Sequence, residues 1–271
     1  MLPSKPDLSL PILPAQARLR VLVVDDVGAN RRLAQMLLRS FGHGSEVATS
    51  GLEAVEKVAA GGYDVVLMDV RMPDIDGLEA TRRIHERLGA ASPRIIAMTA
   101  NALPGDRERC LAAGMDDYLS KPIQHQALRA AIEQAGASAA GSAARPAEPA
   151  PEAAPAGAID WRRIESLASF DSDGTMVEGV IASFLADAPG RIAAMQAAHA
   201  AADAAGLAAA AHALKGSAAN IGAARLRELS QAIEALAREG SLEGALKSIG
   251  ALEKSLVEAR AALAAKAKIS P

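Results

Sequence analysis

An α/β domain followed by a separate all-α domain is the organisation this sequence predicts, on three observations. Short apolar runs ending in polar residues alternate with helical patterns over residues 18–135. Residues 159–268 carry helix-compatible segments and no strand signal. Between them, residues 136–158 (GASAAGSAARPAEPAPEAAPAGA) hold small residues and repeated prolines with nothing to bury, the composition of a flexible Pro/Ala linker. At 271 residues the chain has room for two domains of ordinary size.

In order along the chain, residues 1–17 carry four prolines and read as a disordered lead-in. RVLVVD (20–25), SEVATS (45–50), DVVLMD (64–69) and RIIAMT (94–99) read as strands, with DYLS (117–120) as a weaker fifth. NRRLAQMLLRSF, LEAVEKVAA, LEATRRIHERL and QALRAAIEQA supply helical patterns between and after them. This alternation predicts a five-stranded, doubly wound parallel sheet covered on both faces. Ligands of such sheets gather at the carboxyl ends of the strands.

The second domain divides into segments 159–168, 174–187, 190–204, 206–220, 224–238 and 242–267, punctuated by Pro189, Gly206, Gly222 and Gly240. Four of the longer ones suffice for an antiparallel four-helix bundle.

Composition narrows the function. The net charge is -3 with acidic and basic residues interleaved, and there is no basic run suited to nucleic acid or acidic lipid. Cys110 is the only cysteine, which excludes an intramolecular disulfide and a cysteine zinc site. LSLPILPA is too short and proline-broken for a signal peptide or a spanning helix. The expectation is a cytoplasmic protein that binds neither nucleic acid nor membrane, and no small-molecule substrate beyond phosphoryl donors.

Polar residues gather at the strand ends. The first strand ends in Asp25-Asp26, the third in Asp69, the fourth in Thr99, and Lys121 follows the fifth. Parallel strands place all of them on one edge. Three carboxylates there repel one another unless a cation sits among them, and an oxygen-only donor set with room for water suits Mg²⁺. A divalent ion, a lysine and a hydroxyl around one carboxylate make a site for a phosphoryl group.

VLVVDD, LMDVRMPDIDG, MTAN and YLSKP, in this order across residues 19–135, resemble the receiver domain of bacterial two-component response regulators. The resemblance implies a flavodoxin-like sheet with Asp69 as the phosphoacceptor. It also implies Asp26 and Asp69 as metal ligands, Asp25 in support, and the Arg71 main-chain carbonyl completing the protein's share. Lys121 would contact the phosphoryl oxygen, and Thr99 and Tyr118 would form a switch pair.

The stretch AHALKGSAANIG (211–222) carries the second chemistry. Leu207, Ala211, Leu214, Ala218 and Ile221 form one apolar stripe at helical spacing. His212 lies off that stripe, on a face with Ala208, Lys215, Gly216 and Ala219. Such a bare, exposed face lets another protein approach the imidazole. Lys215 can neutralise a phosphate, and Gly216, at a helix cost of about 1 kcal/mol, removes a side chain that would block docking. An imidazole pKa of about 6.5 leaves the ring mostly neutral, as attack on phosphorus requires. His43, His85, His125 and His199 lack this context and read as ordinary histidines. AHALKGSAANIGA resembles the histidine-containing phosphotransfer (HPt) family, a helical bundle phosphorylated on a histidine.

Together these readings predict a phosphorelay carrier rather than an enzyme: phosphate reaches Asp69 from a sensor histidine kinase and passes through His212 to or from a receiver, including a downstream response regulator. No glycine-rich nucleotide loop or kinase ATP-binding domain is legible. An Asp-based phosphatase of the haloacid-dehalogenase type needs a second Asp where Arg71 stands. Two other readings stay open: the receiver-HPt tail of a hybrid sensor kinase, and a regulator whose bundle only binds a partner. Met1 and the Pro-rich start favour a free-standing chain.

Overall fold

The computed structural model describes residues 18–100, 104–137, 157–169, 171 and 175–267. The 1–17 lead-in and most of the 136–158 tether lie outside these residues. Five parallel strands, β1 (Arg20–Val24), β2 (Gly44–Ala48), β3 (Val65–Asp69), β4 (Arg94–Thr99) and β5 (Asp117–Ser120), form one sheet in the order β2-β1-β3-β4-β5. The helices α1 (Gly28–Ser40), α2 (Gly51–Ala60), α3 (Gly77–Leu88), α4 (Pro104–Ala112) and α5 (His125–Gly136) cover its two faces.

Buried apolar runs make the central strands. Val21 to Val24 and Val65 to Met68 are fully buried, because helices cover the sheet on both sides. The second strand stops at Ala48 rather than Ser50, since Ser50 is the N-cap of α2 and its side chain accepts from the Glu53 N–H at 3.2 Å. Helix α4 lies in PGDRERCLA, whose few apolar residues hide it from a periodicity reading.

The second domain consists of α6 (Trp161–Ala168), α7 (Thr175–Ala200), α8 (Ala204–Asn220), α9 (Ala224–Arg238) and α10 (Leu242–Ala267). The segments expected at 174–187 and 190–204 are a correction: α7 runs through Pro189 and Gly190 as one helix. Proline has no N–H to give the carbonyl four residues back. That carbonyl, on Leu185, accepts instead from Arg260 Nη2 of α10 at 3.3 Å. A neighbouring helix thus supplies the donor that proline lacks.

A flexible linker implies domains that move independently; instead the two pack together. Helix α1 packs against α7 and α8, and one cluster of buried apolar side chains runs from Val21, Leu33 and Leu37 to Phe184, Leu207 and Leu214. Gly28 helps to make this possible, because a Cβ there would stand 2.9 Å from Asp187 Oδ2 and 3.1 Å from Ser183 Oγ. The prolines of the linker specify a spacer. They do not specify whether the faces at its two ends adhere.

Candidate functional site: an acidic strand edge facing a half-buried histidine

The parallel register brings the first domain's candidates together. Asp25, Asp26 and Asp69 each offer a carboxylate oxygen, all within 4.8 Å of one another. Lys121, from the loop after β5, places Nζ 2.7 Å from Asp25 Oδ2 and 2.7 Å from Asp69 Oδ2. Burial raises the Asp69 pKa to about 7, with the Lys121 charge opposing it and Asp25 adding to it. Burial pulls the Lys121 pKa down, but the Asp25 and Asp69 carboxylates outweigh it and the net shift is upward. Asp26 is also raised, by burial and then by Asp25, against the pull of Arg191.

Two local devices hold Asp69. The Arg71 N–H donates to Asp69 Oδ1 at 3.2 Å. Gly77 opens α3 hard against the acceptor strand, where a Cβ would lie 2.1 Å from the Asp69 carbonyl oxygen. Thr99 ends β4 in a buried position, and its carbonyl accepts from the Lys121 N–H at 2.6 Å. Tyr118 packs against the other apolar cluster of the sheet with the Arg107 guanidinium over its ring, 5.6 Å from the centroid.

In the bundle, Leu207, Ala211, Leu214, Ala218 and Ile221 are buried, as the stripe predicts. The bare face around His212 is not open, which corrects the expectation of an exposed imidazole: the His212 side chain is 12% exposed, and Gly216 is buried. Its Nδ1 lies 2.8 Å from Glu234 Oε1 of α9. Lys215 Nζ donates to Glu234 Oε2 at 2.7 Å, and Arg238 pairs with the same carboxylate. Burial lowers the His212 pKa, only partly countered by Glu234. Burial pushes Glu234 up, but the hydrogen bonds from His212 and Lys215 bring it down to about 2. The result is a neutral ring beside an ionised carboxylate. With Nδ1–H given to Glu234, the lone pair sits on Nε2.

The two sites face each other across the domain boundary. Arg71 Nη1 stands 3.4 Å from Glu234 Oε1, so the residue two after Asp69 reaches the carboxylate that holds His212. A second path is buried. Asn220 Nδ2 of α8 donates to Asn30 Oδ1 at 2.8 Å, and Asn30 Nδ2 lies 3.0 Å from both Asp25 oxygens. Arg191 of α7 closes the edge, with Nη1 3.1 Å from Asp26 Oδ2. Gly216 lies against α1, where its Cβ would be 3.8 Å from Asn30 Nδ2.

Of the candidates read from the sequence, Asp25, Asp26, Asp69, Arg71, Thr99, Lys121, His212 and Lys215 therefore line the two facing sites, whereas Tyr118 packs in the sheet's other apolar cluster. Sequence reasoning missed Glu234, Asn30, Asn220 and Arg191. Glu234 carried a legible signal, a lone acidic side chain among the apolar positions of its helix. Asn30 and Asn220 carried none, because their partners lie 190 residues apart. The other histidines serve the fold. His43 Nδ1 accepts from the Leu19 N–H at 3.2 Å, His85 Nε2 lies 2.9 Å from the Gly114 carbonyl, and His199 Nε2 3.0 Å from that of Leu242. His125 packs edge-on against Phe41.

The family model described as a response regulator receiver domain matches residues 21–133, and that of the Hpt domain matches 179–262. Among curated proteins, the chain is 34% identical over 152 residues to a probable histidine kinase 1 of Oryza sativa subsp. indica, covering 45% of this chain and 16% of that protein. It is 42% identical over 108 residues to the signal transduction histidine-protein kinase BarA of Escherichia coli, covering 40% of this chain and 12% of that protein. The chain thus spans a small part of the length of these relatives. A solved receiver domain of a sensor histidine kinase from Pseudomonas aeruginosa, with a magnesium ion in its active-site cleft, is 40% identical over 45% of this chain and all of that one, with a TM-score of 0.42.

Proposed function

We propose that this chain, a receiver domain followed by an Hpt domain, is a phosphorelay intermediate that accepts phosphate on Asp69 and passes it through His212. The observation that carries the reading is the convergence of an acidic, lysine-bearing strand edge and a neutral, Glu234-held imidazole on one boundary.

The residues fit a magnesium ion. Three clustered carboxylates and a main-chain carbonyl make an all-oxygen donor set, and burial and mutual repulsion raise the pKa of both Asp26 and Asp69, a cost that a bound cation would relieve. Asp26 and Asp69 with the Arg71 carbonyl would hold the ion, and Asp25 would support them. Bound there, it would neutralise charge on the phosphoryl oxygens. Asp69 supplies the nucleophilic oxygen, and Lys121 Nζ, already on Asp69 Oδ2, is placed to bind a phosphoryl oxygen. Phosphate would enter from a sensor histidine kinase and leave to a receiver. The chain would act as a carrier and not as a kinase, alone or as part of a longer kinase like its relatives.

The test is labelling of the full chain by acetyl phosphate. Base-labile phosphate should form only with Mg²⁺ and disappear in Asp69→Asn, whereas unchanged labelling of Asp69→Asn would place the acceptor elsewhere.

A further inference from the structure

We infer that the partner receiver of His212 is the one on its own chain: the two domains dock in cis in a transfer-competent arrangement, and that docked state excludes other receivers from the histidine. The inference rests on the phosphorelay reading and adds to it where the phosphate goes.

The docked boundary is built rather than incidental. Its centre is apolar and continuous with both cores, and polar contacts cross it at several points. Asn30 and Asn220 meet at 2.8 Å, both buried. Arg163 Nη2 of α6 donates to the Ile123 carbonyl at 2.8 Å, next to the loop that carries Lys121. Arg191 covers Asp26, and Arg71 reaches Glu234. Four separate contacts therefore join the bundle to α1, to the acceptor strand ends or to the loops beside them.

Glycines on both sides clear the approach. Gly28 lies where a side chain would strike Asp187 and Ser183 of α7, and a Cβ on Gly216 would already touch Asn30, at 3.8 Å from its Nδ2. Each glycine faces a residue of the other domain, and at Gly28 the space is too small for a Cβ. A foreign receiver reaching His212 would have to take the place that α1 occupies.

The transfer step balances in atoms and charge. The Nε2 lone pair attacks phosphorus, the bond from phosphorus to the Asp69 carboxylate oxygen breaks, and its electron pair returns to that carboxylate. The ring gains a positive charge, with its Nδ1 proton held towards ionised Glu234. Lys121 then again pairs with a free Asp69 carboxylate. Because the tether keeps both partners on one chain, the effective concentration is on the order of millimolar and independent of bulk concentration.

The experiment follows base-stable phosphohistidine in full-length chains whose Asp69 has been labelled with acetyl phosphate, with Asp69→Asn alone as the control for direct labelling of His212. Wild-type transfer should be first order, with one half-time over a roughly hundredfold range of protein concentration. An equimolar mixture of Asp69→Asn and His212→Gln chains, which can transfer only between molecules, should be at least about tenfold slower at micromolar concentration. Gly28→Glu, which sets a carboxylate against Asp187, should slow wild-type transfer; carried only by the Asp69→Asn chain, it should free that chain's bundle for the other chain's receiver and speed the mixture. Asp187→Lys should reverse both effects. A wild-type rate proportional to concentration, or a mixture as fast as the wild type, overturns cis docking and leaves the relay intact. Labelled Asp69 with no phosphohistidine in any arrangement overturns the relay reading of His212 itself.

Discussion

Arg71 and Glu234, 163 residues apart in the chain, stand 3.4 Å from each other across the domain boundary. The first follows the acceptor strand and the second holds the histidine ring. Glu234 also accepts from His212, Lys215 and Arg238, so one buried carboxylate gathers the polar groups of the histidine site.

Glu234→Gln should slow transfer from Asp69 to His212 by about tenfold, the worth of one hydrogen bond to a charged group. The amide keeps the shape but cannot offset the charge that grows on the ring. Quench-flow measurement of phosphohistidine checks this, and an unchanged rate would reduce Glu234 to a structural anchor.

The pH dependence has a definite sign. Burial holds the His212 pKa below its ordinary 6.5, so the ring stays neutral as pH falls through 6.5. Transfer should remain flat through that range and decline only below it. Stability follows the same ring: the unfolded chain takes up its proton first, so the contribution of the neutral buried imidazole is present above pH 6.5 and lost as pH falls towards the folded pKa. An NMR titration of the His212 ring alongside the rates would expose a midpoint at or above 6.5.

Lys121→Ala removes the cation shared by buried Asp25 and Asp69. In the presence of a chelator it should destabilise the protein by about 3–5 kcal/mol, the cost of leaving buried charge uncompensated. Mg²⁺ should restore part of that loss while acetyl phosphate labelling stays low. Urea melts with and without metal read both quantities.

Gly216 separates helix propensity from docking. Gly216→Ala should be neutral or stabilising by up to about 1 kcal/mol, because its methyl fits beside Asn30. Gly216→Gln should keep the helix but wedge α8 from α1, slowing transfer and enlarging the particle seen by small-angle scattering. If Gly216→Gln transfers normally in a compact particle, the glycine has no part in docking.

The strand ends were readable because a parallel sheet turns sequence order into position: each run that finishes in Asp25, Asp69 or Thr99 finishes on the same edge. His212, Lys215 and Gly216 were readable because helical spacing alone puts them on one face. Glu234 and Asn220 were not, since what they do depends on which face of one helix meets another. Pro189 misled for a related reason: its local penalty is real, but the remedy sits 71 residues away on Arg260.

The shared apolar cluster has a thermodynamic consequence. Two modules that can be cut apart on paper at residues 136–158 need not be the units in which the molecule melts. Unfolding the bundle strips α1 of the surface it shares with Phe184 and its neighbours, and leaves Asn30 and Arg71 without their bundle partners. The modules then lose structure in one cooperative transition, and the boundary between them becomes visible only when a partner or a substitution prises them apart.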